Sequence, residues 1–171
     1  ISNSGFSYLN NLLTVTITNS ITTIGDSAFL YCSLKSFVMP NSVTSLGISA
    51  FNNCQKLTSI TISNAITTIP ESAFSNCKIL KSATIPNSVT SISDYAFNNC
   101  KNLPSVIIPN HVTSIGSSAF STCLSVTSVT IPDSVTSIGN SAFAYCARLT
   151  SAYVSWLTPL VIDVNGFYGT P

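Results

Sequence analysis

Six cysteines are the residues of this chain with the most obvious chemical potential, because thiols form disulfides, bind metals and act as nucleophiles. Each closes the pattern Ala-Phe-x-x-Cys, and the step between them is 23 residues, once 22: Cys32, Cys54, Cys77, Cys100, Cys123 and Cys146. No Cys-x-x-Cys pair or histidine cluster accompanies them, so neither a metal site nor another cofactor is predicted. One cysteine per repeat predicts parallel side chains, whose Cβ vectors suit disulfide geometry poorly. We expect buried, reduced thiols, and disulfide bonding in an exported chain is the alternative.

The single histidine, His111, raises the question of hydrolysis. Stacked repeats would bring Ser88 and Ser134 near it, with Asp133 close by, so the three residue types of a catalytic triad occur together. Every repeat carries serines, however, so this proximity is expected by chance, and nothing indicates an oxyanion hole. Three acidic residues share another position and are interpreted as turn and solubility residues: Asp26, Glu71 and Asp94. The sequence therefore predicts no catalytic residues and a protein that is not an enzyme.

The composition bounds the size of the protein and the classes of partner. The chain has 171 residues, of which 45% are hydrophobic, enough for one domain with a continuous core. Only 6% of residues are charged and the net charge is +1, so nucleic acids and anionic membranes would gain little electrostatic attraction. No apolar run approaches the ~20 residues of a membrane-spanning helix. The chain begins at Ile1 without a signal-like region, and we expect any export signal or anchor to lie outside it.

The cysteine pattern is the last part of a longer repeat. Successive units begin at Leu12, Leu34, Leu57, Leu80, Leu103, Val126 and Leu149. Each opens with a stretch whose alternate residues are apolar, which predicts a half-buried strand, and continues with a second extended piece. The Ala-Phe-x-x-Cys stretch then predicts a turn, plausibly a single helical or 3₁₀ turn. Because a unit cannot bury its one apolar edge alone, we expect the units to stack as the coils of a solenoid around a shared core.

The repeat resembles that of BspA-like, or treponemal-type, leucine-rich-repeat proteins, whose unit is similar to L-x-x-L-x-L-P-x-x-L-x-x-I-x-x-x-A-F-x-x-C. The resemblance covers residues 12 to 148 in register, although Thr18 and Ser63 depart from the proline of the motif. That proline is matched at Pro40, Pro86, Pro109 and Pro132. The resemblance implies cell-surface or secreted proteins of mucosal bacteria and anaerobic protists that adhere to host or microbial surfaces.

The predicted fold is therefore a leucine-rich-repeat solenoid of the α/β horseshoe type, mostly β. A parallel sheet is expected on one face of the stacked coils, and short strands with turns or helical turns on the other. We expect a single domain over residues 1–171, divided into an N-terminal cap (1–11), six repeats (12–148) and a degenerate repeat or cap (149–171).

The sheet face is the predicted binding surface, because its outward side chains form columns of hydroxyl and methyl groups when the coils stack. For any single residue, the simpler interpretation is that serine and threonine are ordinary β-surface residues. The basic residues near the coil ends, Lys56, Lys78, Lys101 and Arg148, are interpreted as a solvated rim, with a weakly basic stripe as the alternative. The predicted contact residues are Lys35, Thr61, Lys81, Thr84, Ile107, Thr130 and Tyr153.

The leading functional hypothesis is a non-enzymatic adhesion module, on the cell surface or secreted, that binds extracellular-matrix or cell-surface proteins. A second hypothesis is a spacer that self-associates through Trp156 in the last repeat, a residue that is otherwise interpreted as part of a cap. A third is ice binding by a threonine column, against which Val38, Ile107 and the neighbouring lysines count.

Overall fold

The computed structural model describes residues 1–154, 161–162 and 165–171, and it shows a β-solenoid of stacked coils. We number the coils from the repeat starts: coil 1 is 12–33, coil 2 is 34–56, coil 3 is 57–79, coil 4 is 80–102, coil 5 is 103–125 and coil 6 is 126–148, followed by the last repeat from 149. The strands are β1 (Thr23–Ile24), β2 (Ser36–Val38), β3 (Ser45–Leu46), β4 (Ser59–Thr61), β5 (Thr68–Ile69), β6 (Ser82–Thr84), β7 (Ser91–Ile92), β8 (Val106–Ile107), β9 (Ser114–Ile115), β10 (Ser128–Ile131), β11 (Ser137–Ile138), β12 (Ser151–Val154) and β13 (Val161–Ile162).

Each coil contributes to two parallel sheet faces. The first face contains β2, β4, β6, β8, β10 and β12, and the second contains β1, β3 and the remaining odd-numbered strands. Pairing in register places equivalent residues of successive coils side by side, as with Ile60 and Ala83 or Val129 and Ala152. The predicted alternation is confirmed, because Phe37 and Val129 are buried between exposed neighbours. Coil 1 departs from the others, since β1 is its only strand and residues 12–22 form no regular strand.

The Ala-Phe-x-x-Cys stretch is a series of β-turns, and the helical alternative is not found in the described residues. In coil 1, three successive bonds from residue i to i+3 span residues 25–32, with N to O distances of 3.1 to 3.3 Å. Ser27 and Tyr31 have φ angles of 52° and 57°, as at the third position of type II turns. The N–H of Phe29, between them, donates to Ala50 of the next coil at 2.8 Å. A helical turn would direct these N–H groups along its own axis, so the turns are what allow the coils to bond to one another.

A column of phenylalanine rings runs through the core. The ring centroids of successive members lie 5.0 to 5.7 Å apart and the rings are nearly parallel. The members are Phe6, Phe29, Phe51, Phe74, Phe97, Phe120, Phe143 and Phe167. The stack confirms the prediction that the coils share one apolar core.

Residues 1–9 extend this stack beyond coil 1 by repeating the turn segment. Phe6 lies on Phe29, and Tyr8 lies on Tyr31 with a centroid separation of 5.3 Å. The N–H of Phe6 donates to Ala28 at 2.8 Å. The capping role of residues 1–11 stays a prediction. In the structure, residues 1–9 stack on coil 1 and form hydrogen bonds with it as the turn segment of a further coil would.

Each face is interrupted once, and a proline lies at each interruption. On the second face, Gly47 N–H donates to Ile24 of the preceding coil at 2.8 Å, whereas coil 3 has Pro70, which lacks an N–H, at the same position. This face is accordingly divided into a two-stranded and a five-stranded sheet. Pro104 has the same effect in coil 5 on the first face, which is divided into two three-stranded sheets.

Candidate binding surface

The six cysteines pack the core and are free in this structure. The prediction that they are buried is confirmed. Each thiol donates to the carbonyl of a phenylalanine in the preceding turn, as from Cys54 to Phe29 at 3.1 Å and from Cys100 to Phe74 at 3.3 Å. Burial raises the pKa of the Cys77 thiol to about 12 and that of Cys146 to about 11, because a thiolate would lose its solvation there. Thiols that stay protonated and enclosed are poor nucleophiles.

His111 is exposed and does not form a hydrogen bond with a serine hydroxyl. Its Nδ1 lies 3.1 Å from the carbonyl oxygen of Asn87. The hydroxyls of Ser88 and Ser134 donate to main-chain carbonyls of their neighbouring coils, at 2.6 and 2.8 Å. Both serines act as links between coils, so the His111 region lacks the nucleophile–base pair that a triad requires.

Two of the acidic residues also link coils. Asp26 and Asp94 accept main-chain N–H bonds from the coil above, at 2.8 Å from Ile48 and 2.6 Å from Ser117. Gly116, next to Ser117, approaches the same residue, and an added Cβ there would lie 2.5 Å from the Asp94 nitrogen. Glycine at this position allows the coils to come this close.

The seven predicted contact residues lie on the first face, and all are exposed. Five of them belong to one outward column, in which strand pairing sets Thr61 beside Thr84, Ile107 beside Thr130, and Thr130 beside Tyr153. Val38 begins this column, next to Thr61. Strand pairing does not connect Thr84 with Ile107, because the face is interrupted there. The structure thus places these five predicted residues in one column, which the interruption divides into two halves.

The two lysines form part of a second column at the start of the strands. Thr58 N–H donates to Lys35 at 2.9 Å, and Lys81 N–H donates to Thr58 at 2.8 Å. The next member is Pro104, which cannot donate, so the Lys81 carbonyl receives no hydrogen bond from any described residue. Both lysine side chains are exposed on a face whose other column members are uncharged.

A cleft opens in the first face at this interruption. It has a volume of about 240 Å³ and lies between β6 and β8. Besides the interruption at Pro104, the small side chain of Ala83 contributes to the cleft. Ala83 is half-buried at an inward position that other coils fill with Phe37, Ile60 or Val129. Three predicted contact residues, Lys81, Thr84 and Ile107, line it.

A larger and shallower groove of about 820 Å³ runs along the second face, and sequence reasoning missed it. It crosses β5, β7, β9 and β11, and its lining includes Pro70, Gly116 and Gly139. The signal in the sequence was the recurrence of glycine, serine or proline directly after the last strand residue of each coil. An added Cβ at Gly139 would lie 2.5 Å from the Ser117 nitrogen of the preceding coil, so glycine here allows the coils to approach closely.

The remaining predictions concern self-association, membrane crossing and metal binding. Trp156, the predicted self-association residue, lies outside the described residues. Within the described ranges no helix is long and apolar enough to cross a membrane, and the same residues contain no cluster of three or more metal-ligating side chains.

The stacked coils and their two parallel sheet faces define a leucine-rich-repeat β-solenoid. The chain belongs to the family of BspA-type leucine-rich-repeat proteins, whose model matches in six copies over residues 1–101 and 67–170. The family assignment made from the Ala-Phe-x-x-Cys repeat is therefore confirmed. Members of this family are generally non-catalytic repeat scaffolds, and the repeats indicate a protein-interaction module.

Solved structures of bacterial proteins agree with this assignment. A leucine-rich-repeat protein of Bacteroides ovatus is 32% identical over 89% of the chain, with a TM-score of 0.85, and 39% of its own length is covered. The T. pallidum leucine-rich-repeat protein is 31% identical over 78% of the chain, with 63% of its length covered and a TM-score of 0.75. A leucine-rich cell surface protein of Faecalibacterium prausnitzii is 31% identical over 84% of the chain, with 45% of its length covered and a TM-score of 0.63. The chain thus spans between about two fifths and two thirds of these proteins. No curated protein matches it.

Proposed function

We propose that this chain is a non-enzymatic adhesion module, at the cell surface or secreted, that binds extracellular-matrix or cell-surface proteins through its first face. The observation that carries the proposal is the outward column of that face, in which Val38, Ile107 and Tyr153 are 66%, 78% and 60% exposed. Single exposed apolar residues are ordinary. Three in one register column, flanked by threonines and two lysines, form a flat surface with the mixed character of a protein-binding site.

The name of the F. prausnitzii neighbour, a leucine-rich cell surface protein, supports the proposed location. The outward column of the first face also contains Val38, Ile107 and Tyr153, and these residues weigh against an unbroken threonine surface that could bind ice. The partner is expected to be a protein, since the small net charge of +1 offers nucleic acid little attraction.

The proposal is tested by binding of the purified chain to an array of extracellular-matrix and epithelial surface proteins. Thr84→Glu together with Thr130→Glu places two charges in the outward column, at exposed positions where the fold has no need of the hydroxyls. We expect saturable binding by the parent chain and a loss of about tenfold or more in the variant, because the partner surface would have to bury unpaired carboxylates.

The matched control is Thr67→Glu with Ser137→Glu. Both residues are exposed and belong to the second face, beside β5 and in β11. The control introduces the same charge and is expected to bind as the parent does. Equal loss in both variants, or equal affinity in all three chains, would contradict binding through the first face.

A further inference from the structure

The cleft between β6 and β8 has the size of an anchoring pocket for one side chain. Its volume of about 240 Å³ is below the roughly 300 Å³ at which pockets for whole small-molecule ligands begin. It opens in the middle of the proposed binding face, with one three-stranded sheet on each side. Pockets in that central position are where protein interfaces concentrate their binding energy.

The lining of the cleft is apolar below and polar above. Ala83, Ile85 and Leu103 contribute the apolar part, and the latter two belong to the buried core. Ile107, exposed at the rim, would be covered by anything that enters. An aliphatic or aromatic group seated here would therefore remove apolar surface of both partners from water.

The cleft also offers a main-chain carbonyl that could accept a hydrogen bond from a partner. The Lys81 carbonyl, whose counterparts at Lys35 and Thr58 accept N–H bonds from the next coil, has no donor among the described residues. An extended peptide laid across the interruption would supply an N–H at this point, as Thr58 does one coil earlier. A main-chain acceptor next to an apolar pocket suits a protein segment, which brings both an N–H group and a side chain.

Charge at the rim adds a preference. Lys81 lines the cleft with an exposed side chain, and none of the residues lining the cleft is acidic. Asp26, Glu71 and Asp94 belong to the corner after the second-face strands, and Asp133 lies two coils further along. A carboxylate placed beside Lys81 would thus be attracted to it, and no acidic residue in the lining of the cleft would offset this attraction.

We infer that the cleft receives one apolar side chain of an extended, acidic segment of the protein partner, with the segment's carboxylate beside Lys81 and its main chain bonded to the Lys81 carbonyl. This inference rests on the proposed function and specifies its anchor. It also gives Pro104 and Ala83 a role, because together they create the opening in an otherwise regular face.

The experiment uses random short peptides displayed on phage, selected on the parent chain and counter-selected on Ala83→Ile. The substitution fills the cleft with the side chain that Ile60 provides at the same position in coil 3. We expect the selected peptides to share one aliphatic or aromatic residue with Asp or Glu close to it. Synthetic copies should bind Ala83→Ile at least about tenfold more weakly than the parent in fluorescence anisotropy.

Two further comparisons separate charge and rim from core packing. Lys81→Gln should weaken peptide binding and reduce its dependence on salt, whereas Lys35→Gln, the same change two coils away in the same column, should do neither. Ile107→Ser changes only an exposed side chain and should also weaken binding, so the test does not depend on how Ala83→Ile folds.

Selection of no peptide, or peptides that bind Ala83→Ile and the parent equally, would overturn the inference. In that case, loss of surface-protein binding in the Thr84→Glu/Thr130→Glu variant, but not in its control, would show that the first face binds its partner without the cleft as an anchor. The proposed function would then stand. The remaining alternative is a sugar. Simple hexoses that shift the amide resonances of Ser82 and Thr84, with no peptide competing for them, would also overturn the assignment.

Discussion

At the scale of single residues, the cysteines show how a reactive side chain acquires a structural role. Each thiol is enclosed by the stack and donates to a phenylalanine carbonyl that the turn also uses, as Cys77 does with Phe51 at 3.2 Å. A serine at this position would have to bury a hydroxyl with stronger hydrogen-bonding demands. Cysteine fits because it combines the size of a small apolar residue with a weak donor.

The raised thiol pKa values predict a loss of stability at alkaline pH. In the unfolded chain a thiol titrates at about 8.5, whereas the pKa of Cys77 is raised by burial to about 12. The unfolded state therefore releases protons first, and stability that is complete below pH ~8.5 falls as pH rises toward the folded-state value. Each such thiol contributes about 1.4 kcal/mol per pH unit, or about 2 kcal/mol between pH 8.5 and 10.

The measurement is the free energy of unfolding in urea at pH 7 and pH 10, with a reductant present, for the parent and for Cys77→Ala. The variant is expected to lose about 2 kcal/mol less over this interval, whatever its stability at pH 7. All other ionisable groups are common to both chains, so the difference between the two losses reports on Cys77. Identical losses would show that Cys77 is not protected from ionisation.

At the scale of elements, prolines decide where the solenoid faces are continuous. The bonds that connect Leu13, Lys35, Thr58 and Lys81 on the first face end at Pro104. The turn segments stay bonded across the same point, as between Phe97 N–H and Ala119 at 2.7 Å. An interruption on one face therefore leaves the stack intact, and a cleft forms without the loss of the core.

Replacement of Pro104 by threonine, the residue at the equivalent Thr58, is expected to restore the missing bond. The new amide at position 104 should donate to the Lys81 carbonyl and exchange slowly with solvent. Stability should change by less than about 1 kcal/mol, because one hydrogen bond contributes about 1 kcal/mol and the loss of proline's restriction of the unfolded chain offsets about 0.4 to 1 kcal/mol.

Amide hydrogen exchange by NMR provides the measurement. The internal control is the Thr58 amide, which donates to Lys35 at 2.9 Å in the parent chain and reports normal protection at this column. If the new amide exchanges as fast as an unprotected one, Pro104 is not the cause of the interruption.

At the scale of the whole molecule, stability follows from the stack. Contacts in a solenoid are made between neighbouring coils, so a residue inside the stack has partners on both sides and one at its margin has a partner on one side. Phe97 lies between Phe74 and Phe120, at 5.1 and 5.3 Å, whereas Phe6 has only Phe29 as a stacking partner among the described rings.

Phe97→Ala is therefore expected to cost about 3 to 5 kcal/mol, the usual cost of removing a fully packed phenylalanine. Phe6→Ala should cost about half as much, since it removes one stacking contact from a partly exposed ring. Urea unfolding of this 171-residue chain gives both values. A thermal midpoint that barely moves in Phe97→Ala would contradict the buried stack, and equal costs would contradict the nearest-neighbour account.

The sequence by itself determined the repeat, the stacking of coils, the family, the burial of the cysteines and the alignment of the predicted residues on one face. It could do so because each follows from a pattern that recurs every 23 residues, once 22, and a recurring pattern in a stack becomes a column. The predicted positions of Thr61, Thr84 and Thr130 needed no more than this register.

Only the tertiary structure decided the β-turn geometry of the Ala-Phe-x-x-Cys stretch, the groove of the second face and the cleft at Lys81. The cleft depends on two departures from the repeat, Ala83 in coil 4 and Pro104 in coil 5, whose effects combine only when the two coils stack. The turns depend on how N–H groups are shared between neighbouring coils, as at Phe29 and Ala50. Repetition reveals what the coils have in common, whereas a binding site arises from the differences between adjacent coils, and those act only through contact in space.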